Sequence, residues 1–304
     1  MLSLNGLLLI DNPAGITSFE VVRRVRRALK VKKVGHLGTL DPFATGLLPL
    51  ALGEATKLAP FLMEEKKTYL ARVKFGEATD TQDLTGQVTA RSEHLPEPEE
   101  IGRAAARFVG EIEQTPPLYS AVHYQGERLY KLARRGEVVT PAPRTVVIYR
   151  LKIAEMALPM ATLLVTCGKG VYIRTLAADL GKALGTVAHL TALRRLAVGP
   201  FQVQAAVSLP ELAALSREDI QQRLIPLVDC LPSLKAVAVG LEEARRLGQG
   251  QTVPAPANGL HDGEAVRVLT DGRLAAVAAV RQSEGRAVLK PRRVFQGWAE
   301  QCAG

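Results

Sequence analysis

Residues 35–53, GHLGTLDPFATGLLPLALG, hold a single carboxylate, Asp41, in a run of apolar and small residues, with His36 just upstream. An Asp-Pro pair can serve a turn, its side chain satisfying nearby N–H groups. It can also serve chemistry. A carboxylate attacks an electrophilic carbon well when it is partly desolvated yet kept ionised by a nearby cation. Desolvation alone raises its pKa and costs nucleophilicity, so a nucleophilic Asp41 requires an arginine partner that spacing does not name. His36 reads equally as a structural histidine in a loop or as part of a site. Cofactor motifs are missing from the sequence: there is no GxGxxG after a strand, no Walker A run, no HExxH and no GxSxG. GKG at 168–170 is too short to cradle phosphate. Cys167, Cys230 and Cys302 are widely spaced, without a CxxC or a Cys/His cluster, which supports neither a zinc site nor a disulfide framework. The expected chemistry therefore uses no metal and no cofactor.

The elements that must position these residues follow from patterning. GLLLIDNPAGITS reads as a strand and a Pro/Gly turn leading into a helix, with Thr17 and Glu20 spaced as a capping box. Residues 34–59 read as loop and then apolar segment, 68–75 as a strand, and 77–98 as turns and an exposed loop. Residues 99–113 read as an amphipathic helix, and 114–144 as a long insertion with a basic helix between proline-flanked ends. Two strands at 146–156 and 161–167 precede a tight turn and a helix from GKGVYIRTLAADLGKAL. Strands and helices do not alternate strictly, so the pattern favours an α+β layout. Past residues 230–235 the texture changes to short β-like runs separated by glycine, as in a small β-barrel of about 70 residues. The chain of 304 residues, 47% hydrophobic and 23% charged, is long enough for one large domain plus a small one.

Charge bears on the partner. The net charge is +9, and residues 23–33, RRVRRALKVKK, contain no acid. Val21, Val22, Val25 and Leu29 keep helical spacing, so the helix has a core face and a one-signed outer face. That pattern points to nucleic acid. A membrane-surface helix fits less well, because its apolar face lacks large aromatics. No apolar run reaches the ~18 residues of a membrane span, and MLSLNGLLLI has no basic n-region. The chain reads as cytoplasmic.

Beyond residue chemistry, GHLGTLDPFATGLLPLALGEATK resembles the signature of the TruB family of tRNA pseudouridine-55 synthases. KKTYLARVKFGEATDTQDLTG (66–86), PPLYSAVHYQGERLYKLARRG (116–136), CGKGVYIRTLAADLG (167–181) and HLTALRRLAVGPF (189–201) resemble further motifs of that family, in order, across residues 6–230. Gly168 and Val171 stand where serine and threonine are frequent, and His123 where lysine is frequent. The resemblance implies a pseudouridine-synthase fold: a central, mostly antiparallel mixed sheet flanked by helices and loops. It implies a catalytic domain over 1–232 with an RNA-gripping insertion at about 117–145, and a PUA-like RNA-binding β-barrel over 233–304.

It also implies isomerisation of one uridine in the T-arm of tRNA without cofactor, by a monomer with no obligatory protein partner. Asp41 matches the essential aspartate, which adds to C1′ or to C6 or abstracts a ribose proton. Arg174 matches its arginine partner, Tyr69 the tyrosine that stacks on the base, Leu193 an apolar wall and His36 the support of flipped-out nucleotides. Tyr172 is expected at the pocket wall. Thr39, Gly35, Gly38 and Gly46 are expected to shape the loop. Phosphate contacts are expected from Arg23, Arg24, Arg27 and Lys57, from Arg128, Lys131, Arg134 and Arg135 of the insertion, and from Lys290, Arg292 and Arg293. The alternatives are a guide-RNA-dependent pseudouridine synthase subunit and a non-catalytic tRNA-binding protein or RNA chaperone. A retaining glycosidase would need a second prominent acid.

Overall fold

The computed structural model describes residues 4–120, 122–137, 139–256, 259–283 and 286–296, apart from the side chain of Arg134. Cys302 lies outside the described residues.

GLLLIDN forms strand β1 (Gly6–Asn12), and the turn after it leads into helix α1 (Ser18–Leu29). Strands β2 (Val34–His36) and β3 (Thr45–Leu52) follow, with the Asp41 segment as their connection. A short helix α2 (Ala59–Leu62) leads to β4 (Lys67–Phe75). A small hairpin, β5 (Glu77–Thr79) and β6 (Val88–Arg91), precedes helix α3 (Pro98–Ala106) and β7 (Gly110–Gln114). The insertion carries a two-residue-per-strand hairpin, β8 (His123–Tyr124) and β9 (Glu127–Arg128), and helix α4 (Leu129–Arg134). Strands β10 (Arg144–Ala157) and β11 (Met160–Cys167), helix α5 (Ile173–Ala183) and strand β12 (Ala188–Val198) complete the site. Short strands β13 (Phe201–Gln202) and β14 (Val207–Ser208) and helices α6 (Leu209–Ala214) and α7 (Arg217–Arg223) close this part of the chain.

Ten strands make one mixed sheet, in the order β14-β1-β3-β12-β4-β11-β10-β7, with β13 on β12 and β2 on β3. Its pairs are antiparallel except β1 with β14 and β3 with β12. The continuous apolar run of β1 has a plain cause: both faces are covered. Leu8 and Ile10 join the core under α1 and α5, while Leu7 and Leu9 face a second core. Alternation would have signalled one wet face. Between β3 and β12 the chains come very close. Gly46 has φ +98°, and a Cβ there would lie 2.3 Å from the Arg195 carbonyl oxygen, so glycine is required. Gly38 also has positive φ, whereas Gly35 has neither positive φ nor a near neighbour and is not needed for the loop.

Residues 235–294 form a second, five-stranded sheet: β15 (Lys235–Ala238), β16 (Val253–Pro254), β17 (Ala265–Thr270), β18 (Arg273–Ser283) and β19 (Arg286–Val294), in the order β15-β17-β18-β19-β16, with helix α8 (Leu241–Gly248) packed on it. The expected closed barrel is not seen: β15 and β16 are edges with no ladder between them among the described residues. Leu274 and Val277 of this sheet, and Phe295 just after it, share the second core with Leu7, Leu9 and Leu47.

Three other expectations change. The helix expected over 99–113 ends at Ala106, because Gly110 at φ +111° turns the chain and GEIEQ pairs with Arg144–Ile148. The segment 77–98 is not all exposed loop; it buries Asp83. The Thr17 cap is half a capping box: Thr17 Oγ1 accepts from the Glu20 N–H, but the Glu20 carboxylate turns to Arg23 and Arg24 instead. Among the described residues no helix is long and apolar enough to cross a membrane.

Candidate active site

The Asp41 loop is held from outside by groups distant in sequence. Ser18 Oγ accepts from the Leu40 N–H at 2.9 Å and donates to the Leu40 carbonyl at 3.3 Å. Asn12 Nδ2 donates to the Ala44 carbonyl, and the Ala44 N–H closes a turn onto the Asp41 carbonyl. The fully buried Arg195 donates through Nε to the Leu47 carbonyl at 2.7 Å and through Nη2 to the Gly38 carbonyl at 3.1 Å. Leu40 is buried and Pro42 exposed, so the loop is anchored on one side of Asp41 and free on the other.

Arg174 arrives on the first turn of α5. Its Nη2 donates to Asp41 Oδ1 at 3.1 Å and to the Tyr119 carbonyl at 2.9 Å, and its Nη1 donates to the Thr81 carbonyl at 3.1 Å. Nε lies 2.9 Å from Asp41 Oδ2, but its N–H is not directed at that oxygen, so this second contact is Coulombic. Arg174 is almost fully enclosed, with its side chain 4% exposed, whereas Asp41 keeps 31%. The cation is built in and the carboxylate stays reachable. The structure thus brings together the acid and the cation that the sequence placed 133 residues apart.

A second acid, which sequence reasoning missed, sits behind the pair. Asp83 Oδ2 lies 3.4 Å from Arg174 Nη1. Its Oδ1 accepts from the hydroxyl of Thr81 at 2.8 Å and from the N–H and hydroxyl of Thr85 at 2.9 and 2.5 Å. The signal was the spacing Thr81-Asp83-Thr85, which suits an acid capping its own turn. Burial pushes the Asp41 pKa up, the Arg174 charge works against that, and the Asp83 charge adds to the rise.

Tyr69 stands on β4 opposite Arg195 on β12, and burial pushes its phenol up. Leu193, 7% exposed, is on the same strand as Arg195. Tyr172 is fixed through its backbone: the Gln114 side chain accepts from its N–H at 3.0 Å and donates to its carbonyl at 3.3 Å. His36 lies on β2 with Nδ1 buried and unpartnered, and burial, with the Arg195 charge nearby, lowers its pKa. Asp41, Tyr69, Tyr172, Arg174, Leu193 and His36 all line one open cavity of about 990 Å³. Thr39 lines it too and offers its carbonyl to Arg195 Nη1 at 3.5 Å.

The expected phosphate ligands are placed unevenly. Arg23 and Arg24 are exposed, but both bind Glu20, whose pKa they pull down to about 2. Arg27 is exposed on α1. Lys57 is turned to the seam with the C-terminal sheet: its ammonium meets Glu54 Oε2 at 2.5 Å and the Val294 carbonyl at 2.9 Å, and lies 5.7 Å from the Phe295 ring centre. In this structure it ties the two sheets together. Arg128 is exposed at the cavity rim and Lys131 is exposed on α4. Arg135 is held by Glu127 and Glu137, and the Arg134 side chain lies outside the described residues. Lys290, Arg292 and Arg293 are exposed along β19.

With known proteins the agreement is broad. The TruB family pseudouridylate synthase N-terminal domain matches residues 26–173, and the tRNA pseudouridylate synthase B C-terminal domain matches 174–237. The tRNA pseudouridine synthase B of Rhodospirillum rubrum is 45% identical over 293 residues, covering 93% of this chain and 95% of that protein. That of Dechloromonas aromatica is 45% identical, covering 90% of each. Among solved structures, a Cbf5-Nop10-Gar1 complex includes a chain with TM-score 0.76 and 27% identity, covering 96% of this chain and 85% of that one.

Proposed function

The chain belongs to the TruB family of pseudouridylate synthases and makes pseudouridine in tRNA; we propose that its target is uridine 55 of the T-arm and that Asp41 carries the chemistry. In this isomerisation the C1′–N1 bond breaks and a C5–C1′ bond forms. The proton at C5 is lost, and N1 ends protonated, so no oxidant, reductant or second substrate enters. Addition to C1′, addition to C6 and removal of a ribose proton all require an ionised Asp41. The observation that carries the reading is the Asp41–Arg174 pair, 3.1 Å between Oδ1 and Nη2, at the wall of a cavity also lined by Tyr69 and Leu193. Arg174 keeps the carboxylate charged inside a partly desolvated site.

The base must leave a folded loop to reach Asp41, at a cost of a few kcal/mol of unstacking. Tyr69 and Leu193 recover that cost by stacking and burial. His36, with its unpartnered Nδ1, and Tyr172 frame the opening. Residues 1–232, with the insertion at about 117–145, act as the catalytic domain, and residues 233–304 act as a PUA-like RNA-binding domain. Recognition is by shape and backbone charge, and the protein works in the cytoplasm as a monomer with no obligatory protein partner.

The test is purified protein with unmodified tRNA transcript and no guide RNA, scored for pseudouridine by position, with Asp41→Asn beside it. Wild type should convert the T-arm uridine, and Asp41→Asn should lose at least about 1,000-fold in turnover while still binding tRNA. Wild type that needs a guide RNA would move the chain to the guide-dependent reading. Asp41→Asn with full turnover would remove Asp41 from its role.

A further inference from the structure

Phe19 is 72% exposed, the most exposed large apolar side chain among the described residues. It belongs to α1, whose core face is already filled by Val21, Val22, Val25 and Leu29. Leaving a phenyl ring in water is unfavourable, and Phe19 does not stand alone. It lines the mouth of the Asp41 cavity, as do Met63, 47% exposed, and Tyr119, 36% exposed. The same rim carries Arg128, and Lys169, which is exposed and paired with Glu64. Exposed rings beside cations are the surface that binds unpaired nucleic acid, where bases stack on aromatic faces and the backbone follows the charge.

The charge pattern on α1 fixes what Phe19 itself contributes. Glu20 engages both Arg23 and Arg24, so the turn holding Phe19 offers less free charge than the rest of the helix. Arg26, Arg27 and Lys30 lie further along with no acid beside them, exposed to a passing phosphate backbone. The start of the helix thus offers a flat apolar face and its far end offers charge.

We propose that Phe19 is a stacking platform for a loop nucleotide adjacent to the extruded uridine, with Met63 and Tyr119 completing the apolar rim. The proposal rests on the tRNA reading above. Extrusion of one base breaks its stacks with both neighbours. A neighbour that follows it outward meets the rim of the cavity rather than its floor. Phe19 replaces the lost stack there and favours the open loop. This makes Phe19 a binding residue for the RNA, remote from the reacting atoms.

The experiment uses the full chain and a T-arm hairpin carrying 2-aminopurine next to the target uridine, on either side in turn. Wild type, Phe19→Ala and Phe19→Trp are compared, each also in the Asp41→Asn background, so that stacking is read without turnover. Wild type and Phe19→Trp should quench one of the two probes. Phe19→Ala should lose that quench, weaken hairpin binding roughly 10-fold and raise KM similarly, with a smaller fall in kcat. Because Phe19 is exposed, its Ala variant should melt with wild type, which separates binding from folding. Quenching and affinity unchanged in Phe19→Ala would overturn the proposal, as would a Phe19→Ala effect on self-association alone. Absence of pseudouridine with quenching intact would instead sink the catalytic reading and leave the platform standing.

Discussion

Asp41 and Asp83 share one guanidinium: Arg174 donates to Asp41 Oδ1 from Nη2 at 3.1 Å and approaches Asp83 Oδ2 with Nη1 at 3.4 Å. Two further acceptors, the carbonyls of Thr81 and Tyr119, fix the same plane. The arginine is therefore aimed by its surroundings before any RNA arrives, and Asp41 is aimed by the arginine. Lysine cannot reproduce a fork with four acceptors. Arg174→Lys should lower kcat by roughly 100-fold or more. Asp83→Asn should lower kcat by about 10–100-fold through misplacement of Arg174. Asp83 is almost fully buried and acts through Arg174, so KM should move much less than kcat. Steady-state kinetics on tRNA transcript would check both, and an unchanged kcat for Asp83→Asn would remove it as a positioning residue.

The pH profile follows from the direction of the Asp41 shift. Burial raises its pKa above the ordinary carboxylate value despite Arg174. The acid limb of kcat/KM should therefore lie above about pH 4, with activity rising as Asp41 ionises. For stability the sign is opposite to that of a salt-bridged surface acid. The folded state holds this proton more tightly than the unfolded chain, so ionising Asp41 costs stability. The cost is absent below the unfolded pKa and complete above the folded one. Asp41→Asn should flatten that part of the stability-against-pH curve. A wild-type acid limb at or below pH 4 would show that Arg174 outweighs burial.

Salt titrations should rank the cations by their freedom. Each phosphate contact contributes a slope of close to one to log Kobs against log salt. Arg27, Lys131 and Lys290 are exposed and enter no ion pair among the described residues, so alanine at Arg27 or Lys131 should reduce the slope by about one. Arg135 is held by Glu127 and Glu137, and its alanine variant should change the slope less. Equal slopes for all variants would count against the assigned surface.

Backbone proximity gives a prediction for the fold. Gly46→Ala meets both a positive φ and a carbonyl oxygen 2.3 Å away, so β3 and β12 must separate. The loss should be about 2–4 kcal/mol in chemical denaturation. Gly35→Ala, with open space and ordinary φ, should stay within about 0.5 kcal/mol of wild type. If Gly46→Ala costs no more than Gly35→Ala, the close approach is not rigid.

Legibility in the sequence tracked distance along the chain. The amphipathic helix α1, strands β4, β10 and β11, and the turn into α5 are written in local periodicity and turn residues, and they formed where that pattern places them. The helix expected through residue 113 overran because alanine-rich and alternating segments adjoin, and Gly110, which separates them, acts only through its positive φ. Helix α8 went unread because its short LEEARRLG run sits among strands that dominate the texture.

The site divides in the same way. From residue chemistry came a condition, that Asp41 serves as a nucleophile only with a cation to keep it charged in an apolar loop, and the family resemblance nominated Arg174. What surrounds the pair follows from the packing of distant segments. Asp83 reaches Arg174, Arg195 clamps the Gly38 carbonyl, Ser18 grips Leu40, and Lys57 turns to the C-terminal sheet. These contacts join residues 22 to 237 positions apart. Which of them form depends on strand register and on the crossing of β3 with β12, and those are set by the packing of the whole core.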